Sequence, residues 1–101
     1  MNLKLDVPVM SPEGKPFEKT LEDKSPVMAR TLCMKGVLDC KSSHEAAPSI
    51  KYDRGVLAEK IINSTDETDY KVEEVATIKN SVGEFYDPWV VMKVWNILEG
   101  K

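Results

Sequence analysis

Between positions 26 and 40 the chain carries a segment that is apolar on nearly every side of a helix, and such a segment belongs in the middle of a fold. Ala29, Leu32, Cys33, Gly36, Val37 and Cys40 form one stripe at three- and four-residue spacing, and Val27, Met34 and Leu38 widen it. Only Thr31, Lys35 and Asp39 make a polar seam, with Lys35 and Asp39 placed to pair one turn apart. Ser25-Pro26 predicts the helix start, a serine cap followed by proline where its missing donor costs nothing. Gly36 costs about 1 kcal/mol against alanine inside a helix, which is tolerable where another backbone comes close.

The chain ahead of this helix reads as strands. Leu3, Leu5 and Val7 alternate with Lys4, Asp6 and Pro8, the period of a half-buried strand, and Pro8 marks an edge. Ser11-Pro12-Glu13-Gly14 fits a turn closed by a left-handed glycine. A return strand from Lys15 to Leu21, with Phe17 and Leu21 as its apolar groups, completes a hairpin over 3–21 that must pack on helices to persist.

After the first helix, positions 41–49 (KSSHEAAPS) read as a loop. A helix over about 51–63 buries Leu57, Ala58, Ile61 and Ile62 and turns Arg54, Glu59 and Lys60 to solvent. The next, over about 72–82, buries Val72, Val75, Ala76 and Ile78 or Val82 and stops at Gly83. Its cap is either Asp69 or Lys71. Asp87-Pro88 opens the last helix, about 88–99. The expected fold is α+β: a single domain over 1–101, with an N-terminal two-stranded antiparallel β-hairpin packed on a compact cluster of about four helices.

Composition narrows the possible functions. Asp and Glu number 17 against 14 Lys and Arg, so the basic face that nucleic acid requires is not visible and direct nucleic-acid binding is disfavoured. No apolar run approaches the roughly 18 residues of a membrane span, and the alternating N-terminus does not resemble a signal peptide. Cys33 and Cys40 on one helix would lie about 10 Å apart, beyond the roughly 7 Å reach of a disulfide, so reduced buried thiols are expected. These features together predict a cytoplasmic protein without a membrane partner.

The motifs of chemistry are sparse. Cys33, Cys40 and His44 are the only soft ligands, and their spacings of seven and four match no zinc motif. His44 sits in a polar stretch away from the expected core, which leaves both cysteines without a base. The glycines at 14, 36, 55, 83 and 100 form no phosphate-binding loop. The acids Asp66, Glu67, Asp69, Glu73 and Glu74 read either as a mimic of nucleic-acid phosphates or as a solvated loop favoured by a helix dipole. No catalytic residue, metal site or cofactor is expected, and the chain is read as not an enzyme.

The last helix offers the most. Set at 100° intervals, Val90, Val91, Val94, Trp95, Ile97 and Leu98 occupy an arc of about 80° to 240° facing the core. Trp89 and Met92 fall outside it, beside Lys93 and Asn96. These four, with Tyr86, form the candidate partner-binding surface; alternatively Trp89 folds back over the hairpin or over Tyr86.

The layout is similar to that of small, mostly uncharacterised proteins encoded by tailed phages and prophages. The resembling features are Pro12-Glu13-Gly14-Lys15-Pro16, Leu57-Ala58-Glu59-Lys60-Ile61, and the stretch from Glu73 through Ile78-Lys79 to Trp95-Asn96-Ile97-Leu98-Glu99. Lys71 departs from the serine or threonine more usual at that cap. The resemblance implies a genomic origin and carries over no functional residue. The expected function is a non-enzymatic protein–protein interaction protein of phage or prophage origin, such as an assembly factor or a modulator of a host complex. The alternative is a small nucleic-acid-binding regulator, and a homo-oligomer fits either.

Overall fold

Prolines decide the shape of the N-terminal third. In the structure, a computed structural model that describes residues 1–20 and 22–101, one single antiparallel bridge joins Asn2 to Asp69, and three more link segments within the N-terminal third: Pro8 with Met28, Met10 with Pro16 and Glu18 with Pro26. Those three set its path. Each contains a proline, which has no N–H to continue a ladder. The backbone bonds therefore close a ring instead. Val9 N–H donates to Val27 C=O (3.0 Å), Val27 N–H to Phe17 C=O (2.7 Å), and Phe17 N–H to Val9 C=O (3.0 Å).

This overturns the expected α+β class. No β-sheet forms among the described residues, 56 % of which are helical, and there is no N-terminal β-hairpin. The turn at Ser11 does form, with Ser11 N–H donating to Lys15 C=O (2.7 Å) and Gly14 at φ 81°. Beyond it the return segment turns its bonding capacity to the segment around Val27 rather than pairing along its length. Leu21 lies outside the described residues.

The helices are α1 (Ala29–Asp39), α2 (Lys41–His44), α3 (Pro48–Asn63), α4 (Val72–Phe85) and α5 (Pro88–Leu98). Helix α1 begins at Ala29, not at the Ser25-Pro26 cap, because Val27 N–H is held by Phe17 C=O. Its first free donors are met by backbone from far upstream: Ala29 N–H by Val7 C=O (2.9 Å) and Arg30 N–H by Leu5 C=O (2.9 Å). Leu3, Leu5 and Val9 on the capping segment are buried, so capping and core formation are one event. Ala29, Cys33, Gly36 and Val37 are also buried, and α1 packs against all four other helices.

Positions 41–49 are more ordered than their composition suggests. Glu84 on α4 accepts both the backbone N–H (2.7 Å) and the hydroxyl (2.6 Å) of Ser42, closing the N-terminus of the one-turn α2. Helix α3 then starts at Pro48, three residues earlier than expected, with proline in the first turn. Glu74 reaches back to the N–H of Lys71 (2.8 Å), which makes Lys71 the workable cap of α4. That helix runs through Gly83 to Phe85. Three apolar positions expected inside are outside: Ile62, Val72 and Ala76 are exposed. Asp87 caps α5 as expected, accepting from Val90 N–H (3.0 Å). Among the described residues no helix is long and apolar enough to cross a membrane.

Arg30 locks this arrangement. Its Nε and Nη2 hold both oxygens of Asp6 at 2.9 Å, while Nη1 reaches Ile61 C=O (2.5 Å) and Ser64 Oγ (2.8 Å) at the C-terminus of α3. One guanidinium thus ties the N-terminal segment and α1 to α3. The exposed Asp6 arm contributes little; the part-buried, charge-assisted bonds to Ile61 C=O and Ser64 Oγ carry the larger share. Hydrogen bonding to Arg30 holds the Asp6 carboxyl below its ordinary value of 3.8. Its contribution is therefore fully present above that value and is lost as the pH falls through the lower folded one. Arg30→Met should lower the unfolding free energy by about 2 kcal/mol at neutral pH. Urea titrations repeated below pH 4 should also show that the variant has lost the acid-side slope due to Asp6.

Gly36 meets α4 as its sequence position suggested. A Cβ there would stand 3.2 Å from Val82 Cγ2, 3.3 Å from its Cα and 3.4 Å from its N. Backbone cannot swing aside as a side chain can, so the helices would have to part. Gly83, also mid-helix, would place its Cβ in ordinary contact with Trp95 at 3.7 Å. Gly36→Ala should destabilise the protein by about 1–2 kcal/mol despite better helix propensity. Gly83→Ala should stabilise it by about 0.5–1 kcal/mol. Denaturation followed by far-UV circular dichroism distinguishes the two signs.

Candidate functional site

The surface expected on α5 forms against the N-terminal segment, and the structure divides its five residues by role. Trp89 donates its indole N–H to Met10 C=O (2.8 Å), folding back over the upstream chain, and Lys93 Nζ lies 4.9 Å from the centre of its ring. Tyr86 donates its hydroxyl to Leu32 C=O (2.9 Å) and meets Phe85 edge-on, with ring centres 4.9 Å apart. Burial pushes the Tyr86 phenol far above its ordinary value, so it remains a neutral donor. Met92 is the member left open, at 42 % exposure.

Beside Trp89, α5 and the N-terminal segment enclose an open groove of about 220 Å³. Val7, Val9 and Ile97 give it apolar walls, and Lys93, Asn96 and Lys101 give it polar ones. No Asp or Glu side chain lines it, although the chain carries a net charge of −3, and Lys101 Nζ pairs with Glu99 (3.0 Å) at its edge. The groove exists because Trp89 pins Met10, which holds the extended chain alongside the helix. Lys93 and Asn96 were placed here by helical spacing; Val7 and Lys101 were not, since only the tertiary fold brings them in.

A second cluster lies where α1, α2, α3 and α4 meet. Arg54, expected in solvent, is half-buried, and its Nη1 donates to Ser43 Oγ (2.8 Å) and Ser81 Oγ (3.2 Å) and stands 4.0 Å from Cys40 Sγ. Ser43 in turn donates its hydroxyl to Val37 C=O (2.6 Å). A signal for Arg54 was present: it precedes Leu57, Ala58 and Ile61 at the spacing of their buried face. Lys60 is also drawn in, pairing with Glu74 (2.8 Å) and lying 4.7 Å from the ring centre of buried Tyr70. The Tyr70 hydroxyl has no hydrogen-bond partner in the structure.

The two cysteines are free and buried, in different settings. Burial among apolar side chains pushes the Cys33 thiol up to about 12. Burial also opposes ionisation of Cys40, but hydrogen bonding with Ser43 and Ser81 outweighs it and holds the thiol below its ordinary value. His44 is not brought to Cys40: its Nε2 faces Asp39 at 4.0 Å, and its side chain is largely exposed. Among the described residues no three His, Cys, Asp or Glu side chains converge as metal ligands would. The cluster therefore joins four helices through a cation and hydroxyls, with its sulfur closed to solvent. Alkylation at pH 8, read by mass spectrometry, should label Cys40 through local opening at least tenfold faster than Cys33, and Ser43→Ala should slow it.

Comparison of the chain with protein-family models, curated proteins and solved structures finds no match.

Proposed function

We propose that this chain is a non-enzymatic protein–protein interaction protein that works in the cytoplasm and receives its partner on the groove between α5 and the N-terminal segment. The observation that supports this reading is the pairing of apolar walls with a rim of two lysines and an asparagine on an otherwise acidic molecule, on the helix that carries exposed Met92. Apolar area gives such a contact its affinity, and a flexible methionine accommodates an imperfect fit. The lysines select for charge and speed encounter. The matching partner segment presents an apolar side chain flanked by carboxylates. Two free buried thiols suit a reducing compartment.

The resemblance in layout to small proteins of tailed phages and prophages supports placing the chain among them, as an assembly factor or a modulator of a host complex. The test uses host lysate with and without phage infection. A protein captured by the wild type is purified and its binding is measured directly by calorimetry. Met92→Glu combined with Lys93→Glu should weaken that binary affinity by more than tenfold while leaving the circular dichroism unchanged. Equal binding by the variant would overturn the assignment of the groove.

A further inference from the structure

The outward face of α3 carries a further set of exposed apolar side chains. Tyr52, Val56 and Ile62 are 73 %, 51 % and 51 % exposed, an unusual density on one helix. At 100° per residue they share an arc with Lys51, Gly55 and Glu59. Gly55 lies between Lys51 and Glu59, about 40° from each around the helix, and a Cβ there would meet no atom within 4 Å. So neither contacts within the chain nor a turn requires glycine at this exposed mid-helix position, where it costs about 1 kcal/mol against alanine. A glycine there does allow another helix to come close.

The charges identify that helix. Lys51 precedes Gly55 by four residues and Glu59 follows it by four, each about 6 Å along the axis. Both are exposed, and neither belongs to any ion pair among the described residues. A two-fold axis at Gly55 exchanges these offsets. An antiparallel copy of α3 would therefore bring each Lys51 to the partner's Glu59, twice over, with Tyr52 beside the crossing. We propose that the protein self-associates as a symmetric dimer through this face of α3, with Gly55 at the crossing point. Such an isologous contact closes on itself and makes no chain of copies. A single helix pair lies at the small end of protein interfaces, so the dimer forms and dissociates with concentration.

Sedimentation equilibrium from micromolar to millimolar protein tests this. The wild type should move from the monomer mass of 11.4 kDa to twice that value. Tyr52→Asp should remain monomeric throughout. Lys51→Glu and Glu59→Lys should each weaken the dimer by roughly tenfold, since each sets like charges together at two symmetry-related places. The double variant Lys51→Glu/Glu59→Lys should regain the wild-type affinity. All three positions are exposed, so circular dichroism should report an intact fold. A wild type that stays monomeric at millimolar concentration overturns the proposal. So does a dimer indifferent to both single charge reversals, or one that the double reversal fails to restore. Because these variants leave Met92 and Lys93 untouched, their outcome is separate from that of the α5 groove.

Discussion

The backbone N-terminus of α1 is closed by carbonyls from residues more than twenty positions upstream, and the rest of the molecule is arranged around that closure. A helix leaves its first N–H groups without partners, and a side-chain cap is the local remedy. Here the N-cap position is Met28, which makes no side-chain cap bond, and Val7 and Leu5 supply the acceptors. The extended chain must therefore lie across the start of the central helix. That position buries Leu3, Leu5 and Val9, brings Asp6 to Arg30, and carries Met10 to Trp89. The groove beside α5 follows from the same placement.

Two arginines then do what a larger core would do by area. In a chain of this length apolar burial alone leaves a thin margin. Arg30 joins segments that start at opposite ends of the first two-thirds of the chain, and Arg54 joins four helices through serine hydroxyls. Their acceptors are carbonyls and hydroxyls for the most part, so the desolvation of a second buried charge is avoided. The two hubs sit apart on α3, close to its middle and its end, which makes that helix a brace with one face committed and the other open.

What could be read from the sequence was what residues settle among near neighbours. Asp87-Pro88 starts α5 because cap and proline act within one turn, and the stripe of Ala29, Cys33, Gly36 and Val37 fixes which side of α1 is buried. Gly36 signalled the approach of α4 through its cost alone. The same local logic misplaced the start of α1, because the amide of Val27 had a distant claimant in Phe17. The hairpin failed for a related reason: the alternation of Leu3, Leu5 and Val7 marks burial, and an extended cap buries alternate residues just as a strand does. Glu84 and the one-turn α2 were out of reach, since 42 positions separate donor from acceptor. On α5, spacing located Lys93 and Asn96 on the open side, but it could not show that Trp89 would be anchored to Met10.

The ring formed by Val9, Phe17 and Val27 has a consequence for how this chain avoids its neighbours in a crowded solution. Extended segments ordinarily end in a row of unsatisfied backbone groups, and that row is a template on which another chain can add a strand. Around the ring each of the three residues both donates and accepts, so the bonding closes on itself. The prolines at 8, 16 and 26 stand next to these residues with no N–H to offer. The N-terminal third therefore holds extended backbone, the raw material of fibrils, in a form that resists recruitment, and apart from Met1 the large exposed apolar side chains among the described residues lie on helices.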